Sequence, residues 1–144
     1  MNTNHESPIT NHSKKRICVI GLGYIGLPTA ALLANRGYDV HGVDVVQSTV
    51  DTINRGEIHI VEPELDTFVQ AAVNSGKLKA DLKPVEADVF IIAVPTPFHP
   101  IDNQSPITNH QSPAPAPNID YVVSATTAIA SYVKEGDIVI LEST

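Results

Sequence analysis

The segment from Arg16 to Thr29, RICVIGLGYIGLPT, constrains the fold more than any other part of the chain. A short apolar run, Ile17 to Ile20, leads into a glycine-rich turn, and an Ala- and Leu-rich run follows from Pro28 to Ala34. The order predicts a strand, a tight turn and a helix. The glycines of the turn have the spacing G-x-G-x-x-G and occupy Gly21, Gly23 and Gly26.

Each glycine of this pattern removes a side chain where one would obstruct. We expect Gly21 to permit the turn, Gly23 to let backbone N–H groups approach a pyrophosphate, and Gly26 to let the helix pack closely on the strand. The helix start directs its positive dipole end at the phosphates, and the backbone N–H of Tyr24 matters there more than its phenol. A glycine turn in an unrelated α/β protein is the alternative interpretation.

A second apolar run, from Asp39 to Val43, ends at Asp44, which lies 18 residues after Gly26. A dinucleotide-binding unit places at about this distance the carboxylate that accepts hydrogen bonds from the adenosine ribose. No arginine adjoins Asp44, and a carboxylate repels a 2′-phosphate, so the sequence favours NAD over NADP. A plain aspartate at a strand end is the alternative.

The rest of the chain alternates between helix-like and strand-like segments. This alternation predicts an α/β fold with a Rossmann-type doubly wound parallel sheet. Glycines 37, 56, 76 and 136 are expected to end helices, and Leu65, Phe68, Val69 and Ala72 to form one buried stripe. The predicted helices are Gln47–Asn54, Glu62–Asn74, a brief turn at Pro84–Ala87, and Ile119–Val133 with Asn118 or Asp120 at its cap; the predicted strands are Leu78–Ala80, Val89–Val94 and Asp137–Leu141.

Composition narrows the class of protein. The 144 residues are 42% apolar, 17% charged and 5% aromatic, which suits one α/β domain. The net charge of −7 argues against binding to nucleic acid, and no apolar run is long enough to span a membrane. A cytoplasmic location is the default expectation. The single cysteine, Cys18, excludes an internal disulfide and is expected to be a small buried side chain.

Two stretches look unlike a folded domain. We expect residues 1–15 to be a disordered tail and residues 99–117 to be a low-complexity insertion, because both are polar and contain SPITNH. The repeat is too short to be a structural unit. A metal site at its histidines is not favoured, because nothing orders the segment around an ion; these are His5, His12 and His110.

Ligands of open α/β sheets bind beyond the carboxyl ends of the strands. Besides the glycine loop and Asp44, those ends carry Thr96, held between two prolines, and Thr144 in the run Glu142–Thr144. We expect them to share one site. His59 and Glu62 could line the cofactor side of the site, but a polar helix approach with a capping carboxylate explains them about as well. His41, inside a strand, is more often a packed or edge histidine than a proton carrier.

Several segments together resemble the nucleotide-sugar 6-dehydrogenase family. The resemblance covers residues 16–98 and 117–144 but not the tail or the insertion. The segments that carry it are GLGYIGLPTA from Gly21, NRGEIHIVEPEL from Asn54, PVEAD from Pro84, IAVPTPF from Ile92 and VILEST from Val139.

The resemblance implies oxidation of the C6 hydroxyl of a UDP-sugar to a carboxylate by two hydride transfers to NAD. UDP-N-acetylmannosamine is the implied substrate, with UDP-glucose or GDP-mannose as alternatives. By position, Tyr24 and Ile25 would offer backbone to the pyrophosphate and Asp44 would contact the ribose. Thr96 and Thr144 would contact the cofactor, with Thr144 also near the reacting centre.

The resemblance also implies that the Rossmann-type sheet is incomplete at its C-terminus. The family's nucleophilic cysteine and its partner lysine would lie beyond Thr144, and Cys18 matches neither. We therefore expect no catalytic residue in this chain, no dehydrogenase activity from it alone and weak NAD binding, while a full-length protein would be a homodimer. A stand-alone nucleotide-binding module that never catalyses is the alternative.

Overall fold

The fold is described from a computed structural model, which places residues 15–98 and 116–142. Strands and helices alternate along these residues. The strands are β1 (Arg16–Ile20), β2 (Asp39–Val43), β3 (Leu78–Asp81), β4 (Val89–Ile92) and β5 (Ile138–Leu141); the helices are α1 (Gly26–Asn35), α2 (Gln47–Asn54), α3 (Leu65–Asn74) and α4 (Asp120–Ile129).

The five strands form one parallel sheet in the order β3-β2-β1-β4-β5. The chain first winds outward from β1 to β3 and then crosses back to β4 on the other side of β1. This is the strand order of a Rossmann fold, with its switch point between β1 and β4. The parallel, doubly wound sheet is as the sequence predicts. None of the described helices is long and apolar enough to cross a membrane.

Helices cover both faces of the sheet. On one face α1, α2 and α3 pack on a core that includes Val19, Leu27 and Ile53. On the other face α4 packs through Ala125 and Ile129 on a smaller core that includes Cys18 and Phe90. Burial of strands on both faces explains why β1 and β4 read as unbroken apolar runs.

Four glycines end helices or turns as predicted. Gly37, Gly56, Gly76 and Gly136 all have positive φ, between 71° and 94°. Side chains rarely adopt that conformation, so glycine is favoured where the backbone reverses after a helix. The cap position of α4 is Ile119, which makes no side-chain cap hydrogen bond, so neither Asn118 nor Asp120 is the cap. Asn118 lies one residue earlier, and its side chain accepts a hydrogen bond from the N–H of Asp120 at 2.9 Å.

Other sequence predictions were wrong in detail. Helix α3 begins at Leu65 rather than Glu62, because Glu64 takes a left-handed conformation with φ of 64°. Phe68 does not join the buried stripe of α3 and is 47% exposed. No helical turn forms over residues 84–87, and α4 ends at Ile129 rather than Val133.

The two edges of the sheet differ. At the β3 edge the Asn54 side chain accepts from the N–H of Ala80 at 2.8 Å and donates to its carbonyl at 2.9 Å, as a neighbouring strand would. No described strand pairs with the far side of β5, and its four side chains are 44% to 56% exposed. The second edge is therefore an open one.

A closed neck joins β4 to α4. Phe98 forms an antiparallel bridge with Pro117, and the N–H of Asn118 donates to the carbonyl of Pro97 at 2.6 Å. The two flanks of residues 99–115 thus lie side by side. The predicted tail over residues 1–14, the interior of the predicted insertion and Thr144 lie outside the described residues.

Candidate cofactor-binding site

A cleft of about 640 Å³ opens at the carboxyl ends of β1, β2 and β4, at the switch point of the sheet. The glycine loop forms its floor, and the residues that follow β2 and β3 form one wall. The opposite wall comes from the end of β4, from α4 and from Glu142 after β5. Its volume lies within the range of small-molecule and cofactor sites.

The glycine loop has the geometry that the spacing predicts. Gly21 has φ of 91°, and a Cβ there would lie 2.7 Å from the carbonyl oxygen of Ala93. A Cβ at Gly26 would overlap the carbonyl of Gly21, so α1 can approach β1 only without a side chain. A Cβ at Gly23 would meet nothing within 4 Å, so this glycine keeps open space inside the cleft.

The start of α1 presents unpaired donors to that space. Within the described residues, no hydrogen bond uses the backbone N–H groups of Gly23, Tyr24 or Ile25. The N–H groups of a first helical turn have no partner inside the helix, and the helix dipole adds partial positive charge. The loop can therefore bind a pyrophosphate, because the phosphate oxygens accept hydrogen bonds from these N–H groups and their negative charge is attracted to the positive end of the helix dipole.

Asp44 is fixed beside the loop rather than left to rotate. One carboxylate oxygen accepts from the N–H of Leu22 at 3.1 Å, and the other accepts from the N–H of Val46 at 3.0 Å. The two bonds hold the carboxylate at the end of β2 and tie it to the glycine loop. A carboxylate offers about four acceptor positions, so two remain for a ribose diol.

The far end of the cleft is formed by Ala93, Val94 and Pro95 after β4 and by Glu142 after β5. The Thr29 hydroxyl in α1 donates to the Glu142 carboxylate, at 3.3 Å to one of its oxygens. Thr96 is partly buried one residue beyond Pro95 and does not itself line the cleft.

The structure therefore brings Gly21, Gly23, Tyr24, Ile25 and Asp44 together in one cleft, with Gly26 buried beneath the loop. Glu142, from the run Glu142–Thr144 that was expected at this edge of the sheet, also lines the cleft. Three residues of α4 to which no site role was assigned line it as well. Tyr121, Ser124 and Ala128 have the i, i+3, i+7 spacing that puts side chains on one face of a helix, and they line the cleft from α4.

The remaining candidates lie elsewhere. His59 and Glu62 are exposed and do not line the cleft. Cys18 is fully buried in β1, and burial raises the pKa of its thiol, an effect partly offset by a hydrogen bond from the Val85 backbone. A buried neutral thiol is a poor nucleophile. The only cysteine of the chain is thus unsuited to covalent catalysis.

An open parallel sheet with this strand order, a glycine loop at a helix start and a pinned carboxylate after the second strand define a dinucleotide-binding domain of the kind found in dehydrogenases. The profile of the UDP-glucose/GDP-mannose dehydrogenase family, NAD binding domain, matches residues 15–144. The chain belongs to this family, and the matched part is its NAD-binding domain.

Relatives with assigned activities agree. The chain is 56% identical over 129 residues to the UDP-N-acetyl-D-mannosamine dehydrogenase of Campylobacter jejuni, covering 90% of this chain and 29% of that protein. It is 52% identical over 130 residues to the NDP-N-acetyl-D-galactosaminuronic acid dehydrogenase of Ralstonia nicotianae, covering 90% and 28%. Its fold matches the native UDP-N-acetyl-mannosamine dehydrogenase of Staphylococcus aureus with a TM-score of 0.78 and 42% identity, covering 90% and 29%.

The chain therefore spans less than a third of the length of these relatives. The residues compared are those of the dinucleotide domain, and the larger part of each relative has no counterpart here.

Proposed function

We propose that this chain is the NAD-binding part of a nucleotide-sugar 6-dehydrogenase that oxidises UDP-N-acetyl-D-mannosamine to UDP-N-acetyl-D-mannosaminuronate. The observation that carries the proposal is the pairing of unused loop N–H groups with a pinned Asp44 carboxylate in one cleft. The proposed cofactor-binding residues are Gly21, Gly23, Tyr24, Ile25 and Asp44, which line the cleft, and Gly26 beneath the loop. Thr96, one residue beyond the cleft lining at Pro95, and Thr144 complete the proposed set.

Bound NAD would accept hydride. The overall change is RCH2OH + 2 NAD⁺ + H2O → RCOO⁻ + 2 NADH + 3 H⁺, so two cofactor molecules are reduced in turn. The residues of this chain would hold the pyrophosphate at the loop and the adenosine ribose at Asp44. The far end of the cleft, between Pro95 and Glu142, is the place for the nicotinamide ring.

The sugar is the less constrained part of the proposal. The relative from Ralstonia nicotianae is named for N-acetylgalactosaminuronic acid, yet it is nearly as similar as the mannosamine enzyme. An N-acetylgalactosamine nucleotide is therefore the second candidate, ahead of UDP-glucose and GDP-mannose. We further propose a cytoplasmic location, where NAD and activated sugars are available, a homodimeric whole protein, and a role in polysaccharide biosynthesis.

A chimera tests the cofactor part of the proposal. Residues 16–142 would replace the matching residues of the Campylobacter jejuni relative, and NADH formation would be followed at 340 nm with UDP-N-acetylmannosamine. An active chimera supports the proposal. A folded chimera that binds the UDP-sugar but forms no NADH would contradict it.

Direct binding gives an independent check. We expect the chain itself to bind NAD weakly and NADP more weakly still, as measured by amide shifts in an NMR titration. Perturbation of the Leu22, Gly23 and Asp44 amides would support the proposed site. Equal affinity for the two cofactors would contradict the role given to Asp44, whereas binding of neither would favour a non-catalytic module of another kind.

A further inference from the structure

The connection between β3 and β4 is a seven-residue strap, residues 82–88, with no helix of its own. It passes from one end of the sheet to the other. Leu82 and Pro84 line the cofactor cleft, whereas Ala87 and Asp88 line a separate groove at the amino ends of the strands. A segment without internal hydrogen bonds depends on its surroundings for its position.

Contacts to the sheet supply that position. The N–H of Asp88 donates to the carbonyl of Arg16 at 2.9 Å, and the N–H of Arg16 donates to the Asp88 carboxylate at 2.8 Å. Nearest the cleft, Nε2 of His41 lies 2.9 Å from the carbonyl oxygen of Lys83. A carbonyl only accepts, so the His41 ring is the donor in this bond and carries its proton on Nε2.

His41 lies within β2, three residues before Asp44, and its register partners are Cys18 in β1 and Lys79 in β3. The strand that holds the ribose-facing carboxylate therefore also holds the strap. Lys83 stands between the two strap residues that face the cleft, Leu82 and Pro84. The bond to its carbonyl therefore holds the cleft-lining part of the strap against β2, the strand that Asp44 and Val45 follow.

We propose that His41 is a positioning residue for the adenosine end of the bound dinucleotide. The inference rests on the proposed NAD site. Asp44 locates the adenosine ribose, and the adjoining base needs an apolar surface on which to lie. Leu82, 40% exposed, and Val45, 90% exposed, both line the cleft on the wall that carries Asp44 and offer such a surface. The His41–Lys83 bond holds the strap, and with it Leu82, against β2.

The test uses fragments of the cofactor. AMP occupies only the adenosine end and nicotinamide mononucleotide only the other end, so NMR titration of the 144-residue chain with each gives two separate affinities. His41→Leu removes the donor and keeps the volume. We expect AMP affinity to fall about fivefold, the usual effect of one lost hydrogen bond, with no change for nicotinamide mononucleotide.

Rescue separates positioning from general stability. In His41→Gln the side-chain amide can reach the Lys83 carbonyl, and AMP affinity should return to within about twofold of the wild type; His41→Asn is too short and should behave as His41→Leu does. The matched control is His59→Leu, an exposed histidine outside the cleft, which should leave both affinities unchanged. If His41→Leu fails to fold, the comparison of His41→Gln with His41→Asn decides.

The inference is overturned if His41→Leu and His41→Asn fold and bind AMP as the wild type does, or if both fragments lose affinity equally. A wild-type chain that binds neither NAD nor AMP would refute the proposed function, and the inference with it. Wild-type binding of AMP together with normal binding by the His41 variants would refute the inference alone.

Discussion

Two alanine substitutions in the glycine loop, three residues apart, should change different properties. Gly26→Ala should lower the stability of the domain, and Gly23→Ala should lower its affinity for NAD. A Cβ at Gly26 would overlap the Gly21 carbonyl and approach the Ala93 Cβ to 3.2 Å, and both neighbours belong to the packed junction of α1 with the sheet. Overpacking of this kind costs about 1–3 kcal/mol, and a backbone neighbour places Gly26→Ala near the upper end. A loss of about 3 kcal/mol would lower the Tm of a domain of this size by about 10 °C.

Gly23→Ala adds the same methyl group where nothing lies within 4 Å and where φ is not positive. Its Tm should stay within a few degrees of the wild type, or rise slightly, because alanine restricts the unfolded chain. Its NAD affinity should fall at least about tenfold, because the methyl group occupies space that the pyrophosphate needs.

Circular dichroism melts and urea titrations would give the stabilities, and an NMR titration at millimolar NAD would give the affinities. Two results would refute the reasoning. One is a Gly23→Ala variant that melts as early as Gly26→Ala; the other is a Gly23→Ala variant that binds NAD as the wild type does.

Four further predictions concern other parts of the structure. Asp44→Asn keeps one oxygen for two donors, so it should lose about tenfold or more in NAD affinity and discriminate less against NADP, as titrations with both cofactors would show. Asn54→Ala leaves the backbone N–H and carbonyl of Ala80 without their side-chain partner, so it should lower the free energy of unfolding in urea by about 2–3 kcal/mol and speed hydrogen exchange of the Ala80 amide. Asn74→Ala, at an exposed position, is the control, and equal stabilities of the two variants would contradict the prediction. Lys134 lowers the pKa of the Glu86 carboxyl through a hydrogen bond and through its charge, so Lys134→Ala should raise that pKa toward 4.5 in a carboxyl NMR titration. The ion pair stabilises the folded state at pH values above the ordinary pKa of Glu86. That stabilisation is lost as the pH falls through the lowered pKa. The chain alone should form no NADH from UDP-N-acetylmannosamine, because its only cysteine is buried in β1, and any turnover by pure material would disprove this.

Local signals in the sequence accounted for the framework of the fold. The apolar runs, the glycine stops and the G-x-G-x-x-G spacing each reflect local structure, and together they predict the strands, the helices and a parallel, doubly wound sheet. Phe68 shows where such signals end. Its spacing fits the buried stripe of α3, yet its side chain is exposed. Burial of a residue on α3 depends on how this helix packs against α1, and a short segment of sequence does not contain that information.

The site divides in the same way. Its loop and Asp44 come from a contiguous motif and could be predicted. The bond from Thr29 to Glu142 joins residues 113 positions apart, and the tie from His41 to Lys83 joins residues 42 apart. The prediction of a helical turn within the strap, over residues 84–87, is wrong. The conformation of the strap depends on hydrogen bonds from the sheet rather than on the helix propensity of its own residues.

The neck at Phe98 and Pro117 gives the domain a permissive insertion site. Because the bridge and the bond from Asn118 to Pro97 hold the two flanks together, the sheet and α4 are coupled to each other whatever number of residues lies between. The entropic cost of closing a longer segment grows only with the logarithm of its length, by about 0.6 kcal/mol per doubling. We therefore expect the domain to tolerate changes in the length of this segment, including a tag inserted there, with little loss of stability.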